Sequence, residues 1–321
     1  MMKSRKTPTS SDDPLSSKII EISNDKKQRD DIIKKSARAV LDGRVSRRFF
    51  DDVYQLTYDA SDLARRPFLN LGPGSFRHTM WRTADKNYGN DKTAWTKMRR
   101  GIEQAPVDYY WDVYEGKPFP EQDGFFEVVY CSHVIEHLFS QDAAFLCREV
   151  RRLLAPGGTF RIVCPDAGLM IRAYEAEDWS YFLHYLLVKT KRINRPLGRY
   201  SESQARDVSA EFLLDWVSLL TNERNPKSLS RKKCVDFLAS FPSLKDAFDA
   251  ASELSSRDLN KEVGGHVNWF DLAKVVDMLN RAGFVDIRES NYLQSSVPIL
   301  RDPRHFDRTD PEMSLYIEAT I

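Results

Sequence analysis

Residues 125–166 read FFEVVYCSHVIEHLFSQDAAFLCREVRRLLAPGGTFRIVCPD. The first seven, Phe125–Cys131, form a continuous and mostly apolar run, as expected of a strand buried on both faces. A helix follows. Ser140 or Asp142 can cap its start, and Phe145, Leu146, Val150, Leu153 and Leu154 recur close to helical spacing. Pro156-Gly157-Gly158 is expected to end it, by ring clash and free glycine dihedrals. A second apolar run, Gly158–Asp166, closes on Pro165. Strand, helix and strand make a βαβ unit, which is right-handed almost without exception. Between the first strand and the helix stand two histidines and a glutamate, His133-Val134-Ile135-Glu136-His137. They suit a metal site, an acid–base pair or the rim of a cofactor pocket.

Outward from this unit the same texture repeats. Toward the N-terminus lie Phe68–Gly72, Thr79–Asp85 and Val107–Val113, three further extended segments. Toward the C-terminus WFDLAKVVDMLNRAGF (269–284) is an amphipathic helix stopped at Gly283. VDIRESNY (285–292) and MSLYIEATI (313–321) are the last two strand candidates. Residues 167–262 differ. They carry helical patterns through Tyr181–Leu187, Phe212–Leu220 and Cys234–Leu238, and about ninety residues are too many for a plain connection. A helical insertion or lid is expected over about 174–262. Residues 1–17 are polar and expected to be disordered. From Ser17 to Ala64 a thin apolar pattern (Ile19, Ile20, Ile32, Ile33, Val40, Leu41) predicts one or two amphipathic helices. The organisation read this way is a tail with a helical extension over 1–66 and a main domain over 67–321.

Composition narrows the function. Of 321 residues, 48 are Lys or Arg and 47 are Asp or Glu, a net charge of +1. Near-neutrality gives no general pull toward nucleic acid, and nucleic-acid methylation is disfavoured on that ground. Four cysteines without a CxxC pair point to reduced, buried thiols and a cytoplasmic protein. No apolar stretch reaches the ~20 residues of a membrane helix, and the polar N-terminus lacks the apolar middle of a secretion signal.

The candidate chemistry sits at strand ends. Asn70-Leu71-Gly72-Pro73-Gly74 closes the first strand with two glycines, which let a ligand approach the backbone. In an open α/β sheet this is the carboxyl edge, where ligands bind. A dinucleotide fingerprint would want a third glycine where Arg77 stands, which counts against a nicotinamide pyrophosphate. Asp85, ending the second strand, can accept two hydrogen bonds from vicinal ribose hydroxyls. Asp112, near the end of the third, can accept from an adenine amino group, or begin a turn. Ser132 and His133 leave the fourth strand at the same edge. The order HxxEH is the reverse of the zincin HExxH and matches the inverted zincins. That family needs a further ligand, which the sequence does not identify, so no metal is expected. Capping, packing or acid–base work remains for these histidines.

Taken in order, NLGPG, the WRTAD acid, WDVYEGKPFP with DGFFEVVYCSHVIEHL, and REVRRLLAPGGTFRIVCPD resemble the class I S-adenosylmethionine-dependent methyltransferases, in particular the type-11 group. GGHVNWFDLAKVVDMLNRAGFVDIRES resembles that group's late helix and sixth strand, and SLYIEATI its seventh, antiparallel strand. The resemblance covers about 67–172 and 263–321. It implies an α/β, Rossmann-like doubly wound sheet of seven strands, the last antiparallel, here with a helical insertion and an N-terminal helical extension. It implies S-adenosyl-L-methionine as cofactor, with Gly72, Pro73 and Gly74 under its methionine and ribose, Asp85 on the ribose, Asp112 and Val113 at the adenine, and Ser132 and His133 toward the sulfonium. The resemblance also places Asn70 among the cofactor-binding residues, where the group has an acid. The path from Gly74 to Asp85 leaves little room for a full first helix. Similar short forms occur in relatives among sugar and cell-envelope genes, so the expected acceptor is a small molecule or saccharide. Its base would come from His133, Glu136, His137 or His266. A silent binding protein on the same fold, or a nicotinamide-dependent sugar enzyme, are the alternatives.

Overall fold

The structure is a computed structural model that describes residues 47–87, 106–187 and 197–321. The expected tail and most of the helical extension, residues 1–46, lie outside the described residues. The chain divides into two compact units, one ending at Tyr58 and one spanning Asp59–Ile321. The first contains helix α1 (Arg47–Thr57), where the Thr57 hydroxyl bonds back to the Val53 carbonyl. The second begins with α2 (Ala60–Arg65).

The second unit is built on a seven-stranded sheet. Its strands are β1 (Phe68–Leu71), β2 (Trp81–Asp85), β3 (Tyr109–Tyr110), β4 (Phe126–Ser132), β5 (Leu154–Pro165), β6 (Asp286–Ser290) and β7 (Ser314–Thr320), in the order β3-β2-β1-β4-β5-β7-β6. The pairings among β1 to β5 are parallel, and β7 is antiparallel to both β5 and β6. Every residue of β1 is buried, as is β5 from Gly158's successor Thr159 onward. That burial on both faces is why these runs show no apolar–polar alternation.

Helix α3 (Ser140–Leu153) crosses between β4 and β5 and buries Leu146, Val150 and Leu153 against the sheet. Its ends differ from expectation. The N-cap position is Phe139, without a side-chain cap, so Ser140 and Asp142 lie inside the first turn. The Asp142 carboxylate instead accepts from Arg257 at 2.7 Å. The helix ends at Leu153, before the Pro156-Gly157-Gly158 run, which falls inside β5. There the register with β4 shifts, Leu154 pairing with Phe126 and then Thr159 with Val128.

Two other expected strands are trimmed. β2 starts at Trp81 rather than Thr79, and β3 keeps only two residues of Val107–Val113. Side chains position β3 where strand bonds are few. The Asp108 carboxylate accepts from Thr83 N and Oγ1 at 2.9 and 3.0 Å and pairs with Arg66 at 2.8 Å. No helix joins β1 to β2. Phe76 from that link packs on Trp81 and Phe306 at 5.8 and 5.6 Å, so the 291–313 segment covers this face of the sheet.

Helices α4 (Ala167–Glu175), α5 (Trp179–Tyr185), α6 (Glu202–Val217), α7 (Arg231–Ala239), α8 (Leu244–Glu253) and α9 (Arg257–Val263) fill the region after β5. They hold a separate apolar core of Met170, Phe182, Leu183, Phe212, Leu213 and Phe248. A full capping box of Ser201 and Gln204 starts α6. Helix α10 (Leu272–Ala282), capped by Asp271 and ended by Gly283 at φ 91°, returns the chain to the sheet.

Candidate active site

Parallel strands in register bring their carboxyl ends to one edge. Leu71 pairs with both Ala84 and Cys131, Asp85 pairs with Tyr110, and Ser132 with Val163. Gly72, Asp85, Asp112, Ser132 and His133 therefore all leave the sheet on the same side. Asn70 does not reach it; it is buried inside β1.

The Gly72 amide donates to the Ala84 carbonyl at 2.9 Å, which continues the β1–β2 ladder one residue past the strand. Gly72 and Gly74 have φ of 65° and 53°, a region open to glycine at little cost. A Cβ on Gly72 would stand 2.4 Å from Val134 Cγ2. Pro73, between the glycines, is buried. Gly72→Ala is expected to cost about 1–2 kcal/mol for the left-handed backbone alone. Displacement of Val134 adds to that, and thermal unfolding will read the sum.

Asp85 ends β2, and its Oδ1 accepts from the Lys86 amide at 2.8 Å. Asp112 caps the short 3-10 turn Val113–Glu115, its Oδ1 accepting from Tyr114 N at 2.9 Å. The turn-forming alternative for Asp112 is thus realised, and its second oxygen takes no part in that cap. Val113 is buried against the sheet core.

After β4 the chain makes a 3-10 turn, Ile135–His137, rather than an α-helix. His133 sits at φ 54°, uncommon for a residue with a Cβ. Its amide donates to the Val163 carbonyl at 2.8 Å, Nδ1 stands 3.1 Å from Glu136 Oε1, and Nε2 lies 3.0 Å from Ser314 Oγ. The Ser314 hydroxyl donates to the carbonyls of Asp310 and Thr309, at 2.9 and 3.1 Å, so toward His133 it accepts. Both ring nitrogens then face acceptors. Burial pulls the His133 pKa down, but the Glu136 carboxylate outweighs it and the net shift is upward.

Glu136 is 1% exposed. Burial disfavours its charge, yet His133, His137 and His266 together hold its pKa down at about 2. Apart from the His133 ion pair, neither carboxylate oxygen completes a hydrogen bond among the described residues. The Glu136 carbonyl accepts from Val267 N and Asn268 N at 2.9 and 3.2 Å, which staples the 264–268 loop beside it. That loop carries His266, whose ring packs edge-on against His137 at 4.7 Å. His137 Nδ1 lies 3.1 Å from the Gly265 carbonyl, and His266 Nδ1 lies 3.0 Å from the Trp216 carbonyl. A carbonyl only accepts, so both Nδ1 atoms carry the hydrogen, and in a neutral ring Nε2 is then the atom with the lone pair. Burial first, and the neighbouring His137 second, lower the His266 pKa to about 4.

The helical region meets this edge. Glu136, Pro165, Met170, Trp216, Asn268 and Trp269 line one small cavity. From α9, Asn260 donates to the His137 carbonyl at 3.0 Å, as does the Tyr114 hydroxyl at 2.6 Å. Arg257 lies 4.7 Å over the Tyr114 ring. Among these groups, Ser314 and Asn260 have no sequence signal, because each comes from a distant segment with no motif of its own. The two glycines of Gly264-Gly265-His266 were the available signal. Gly264 caps α9 at φ 64°, and a Cβ on Gly265 would stand 2.6 Å from Leu219 Cδ2.

This strand order, with the antiparallel β7 between β5 and β6 and the glycine turn and acids at the parallel edge, defines a Rossmann-like α/β fold of the class I methyltransferase type. Residues 71–162 match the family model described as a methyltransferase domain. Over that segment, less than a third of the chain, the protein resembles the S-adenosylmethionine-dependent methyltransferases. Similar crystal structures include an S-adenosylmethionine-dependent methyltransferase from Mesorhizobium loti, at 12% identity over 84% of this chain and 96% of that one, TM-score 0.35. Another is a possible histamine N-methyltransferase from Thermotoga maritima, at 13% identity over 88% and 96%, TM-score 0.35. A third, from Methanosarcina mazei, has 11% identity over 79% and 92%, TM-score 0.35. Likenesses this distant carry no weight for the chemistry. No curated protein matches the sequence. No helix among the described residues is long and apolar enough to cross a membrane.

Proposed function

We propose that the enzyme methylates a small molecule or saccharide, with the cofactor lying across the carboxyl edge of β1, β2 and β4. In this reading Gly72, Pro73 and Gly74 pass beneath its methionine and ribose, and Asp85 accepts from the ribose hydroxyls. Asp112 uses its second oxygen toward the adenine, beside Val113. Ser132 and His133 border the sulfonium, and Asn70 supports the turn from inside β1. The supporting observation is the shared edge, together with Val134 standing against Gly72 where only a glycine fits.

The sulfonium is an activated methyl donor, so the chain's task is to align an acceptor with the S–CH3 bond and exclude water. The helices within 174–262 serve as the lid over the main domain, 67–321, and residues 1–66 as an extension to it. The cavity between Glu136 and Trp216 supports that assignment, because it joins the sheet edge to α6. A hydroxyl acceptor must lose a proton. That proton passes into the group His133, Glu136, His137 and His266, whose Nε2 lone pairs on His137 and His266 are its available acceptors.

Calorimetry with S-adenosylmethionine tests the cofactor placement, with one equivalent of heat expected. Transfer of labelled methyl from the cofactor to a panel of saccharides, phenols and amines tests the acceptor class. Label appearing only on amines would overturn the saccharide reading.

A further inference from the structure

The Glu136–His137–His266 group has the make-up of a metal site as well as that of an acid–base group. One ligand atom from each lies within 4.8 Å of the other two. We propose that Glu136, His137 and His266 bind one divalent metal ion of the zinc class, through one carboxylate oxygen and two imidazole Nε2 atoms. The sequence offered only the five-residue HxxEH pattern and lacked a further ligand. The fold supplies it from the loop after α9.

Four observations carry this. The donor set, two imidazoles and one carboxylate, is one that zinc accepts with a coordination position left open. Each imidazole has its Nδ1 hydrogen engaged by a backbone carbonyl, of Gly265 or Trp216, which orients the ring and leaves Nε2 as donor. Metal-bound histidines almost always have such an outer partner. The carboxylate has its own outer partner in His133, 3.1 Å away. Finally, apart from that ion pair, the buried Glu136 carboxylate completes no hydrogen bond among the described residues. One imidazole uses only part of the acceptor capacity of a carboxylate, which leaves an oxygen for a further partner.

A tetrahedral ion with bonds of about 2.0–2.2 Å sets its ligands about 3.4 Å apart. The present spacing, up to 4.8 Å, therefore has to contract when the ion binds. The cysteines do not compete. All four are buried, and burial raises the thiol pKa of each, to about 12 for Cys147 and Cys234. Cys131 and Cys164 are raised well above the ordinary thiol range for the same reason.

The inference goes beyond methyl transfer, which needs no metal, and does not depend on where the cofactor lies. An ion here would occupy the two lone pairs that otherwise take the acceptor's proton. A hydroxyl bound at its open position would ionise more readily, through the charge of the ion.

The test uses tag-free full-length protein, stripped with chelator and titrated with zinc chloride by calorimetry. One equivalent is expected. Glu136→Gln and His266→Gln should each weaken binding by more than roughly 100-fold, beyond the 10–100-fold an outer partner is worth. His184→Gln, at an exposed position on α5, should leave it unchanged. Cobalt(II) should give a visible absorption in the wild type that both ligand variants lose. Absence of zinc binding by the wild type overturns the proposal, as does binding that survives loss of both Glu136 and His266. Should a variant fail to fold, the wild-type stoichiometry and cobalt spectrum decide. Calorimetry with S-adenosylmethionine on the same samples separates the readings. Cofactor heat without zinc binding sinks the metal site alone, and zinc binding without cofactor heat sinks the cofactor placement alone.

Discussion

Arg161→Met should lower the free energy of unfolding by about 3–5 kcal/mol, the usual consequence of removing one partner from a buried charge network. Arg161 is fully buried in β5. Its guanidinium pairs with Asp307 at 2.6 Å and Glu318 at 3.0 Å, and donates to Ser290 Oγ and the Asn291 carbonyl. Methionine fills most of the volume but leaves two carboxylates without their cation. Urea denaturation will read the loss as a lower midpoint. A midpoint shifted by less than about 1 kcal/mol would mean that solvent reaches the carboxylates. The network also has an acid limb. Burial raises the Glu318 pKa, but bonds from Ser295 and Ser296 and the charge of Arg161 reverse this, and the net shift is downward. A carboxyl depressed in the fold contributes stability above its unfolded pKa, near 4.5, and loses it as pH falls through the lower folded value. Wild-type stability should therefore drop below about pH 4.5. In Arg161→Met the folded Glu318 pKa moves up toward the unfolded one, so this acid loss should be smaller.

Asp85→Ala should weaken S-adenosylmethionine binding by about 100-fold or more. In the proposed site the carboxylate accepts from two ribose hydroxyls, and a hydrogen bond to a charged group is worth about 1.5–3 kcal/mol. Two such bonds correspond to at least about 3 kcal/mol, with each 1.4 kcal/mol a factor of ten. The strand should survive, since the backbone of Asp85 keeps its bond from the Trp111 amide at 3.0 Å. Asp85→Asn, which retains one acceptor oxygen, should fall between the two. Unchanged affinity in a folded Asp85→Ala would remove the β2 tip from the cofactor site.

Much of the sheet was readable because β1, β4, β5 and β7 are largely buried and so appear as mostly apolar runs. The β4–α3–β5 unit needed nothing else. β3 was overestimated, since its aromatic texture comes from packing around Phe119 and not from pairing. Its position depends on Asp108, a side-chain tether no periodicity reveals. The α3 cap was misread because Asp142 has a stronger engagement with Arg257 than with its own backbone. At the site, the glycine turn and the acids were legible as strand-end residues, since a parallel sheet places all such ends on one side.

What the histidines face was a different matter. Sequence alone determined the parallel order, the carboxyl edge and the residue types delivered there, because burial pattern and turn chemistry are local. Only the tertiary structure decided that His266 stands beside His137, that His133 lies between Glu136 and Ser314, and that Glu136 is buried among three imidazoles. Those contacts join segments far apart along the chain, and hydrogen-bond partners set by such closure leave no trace in local composition.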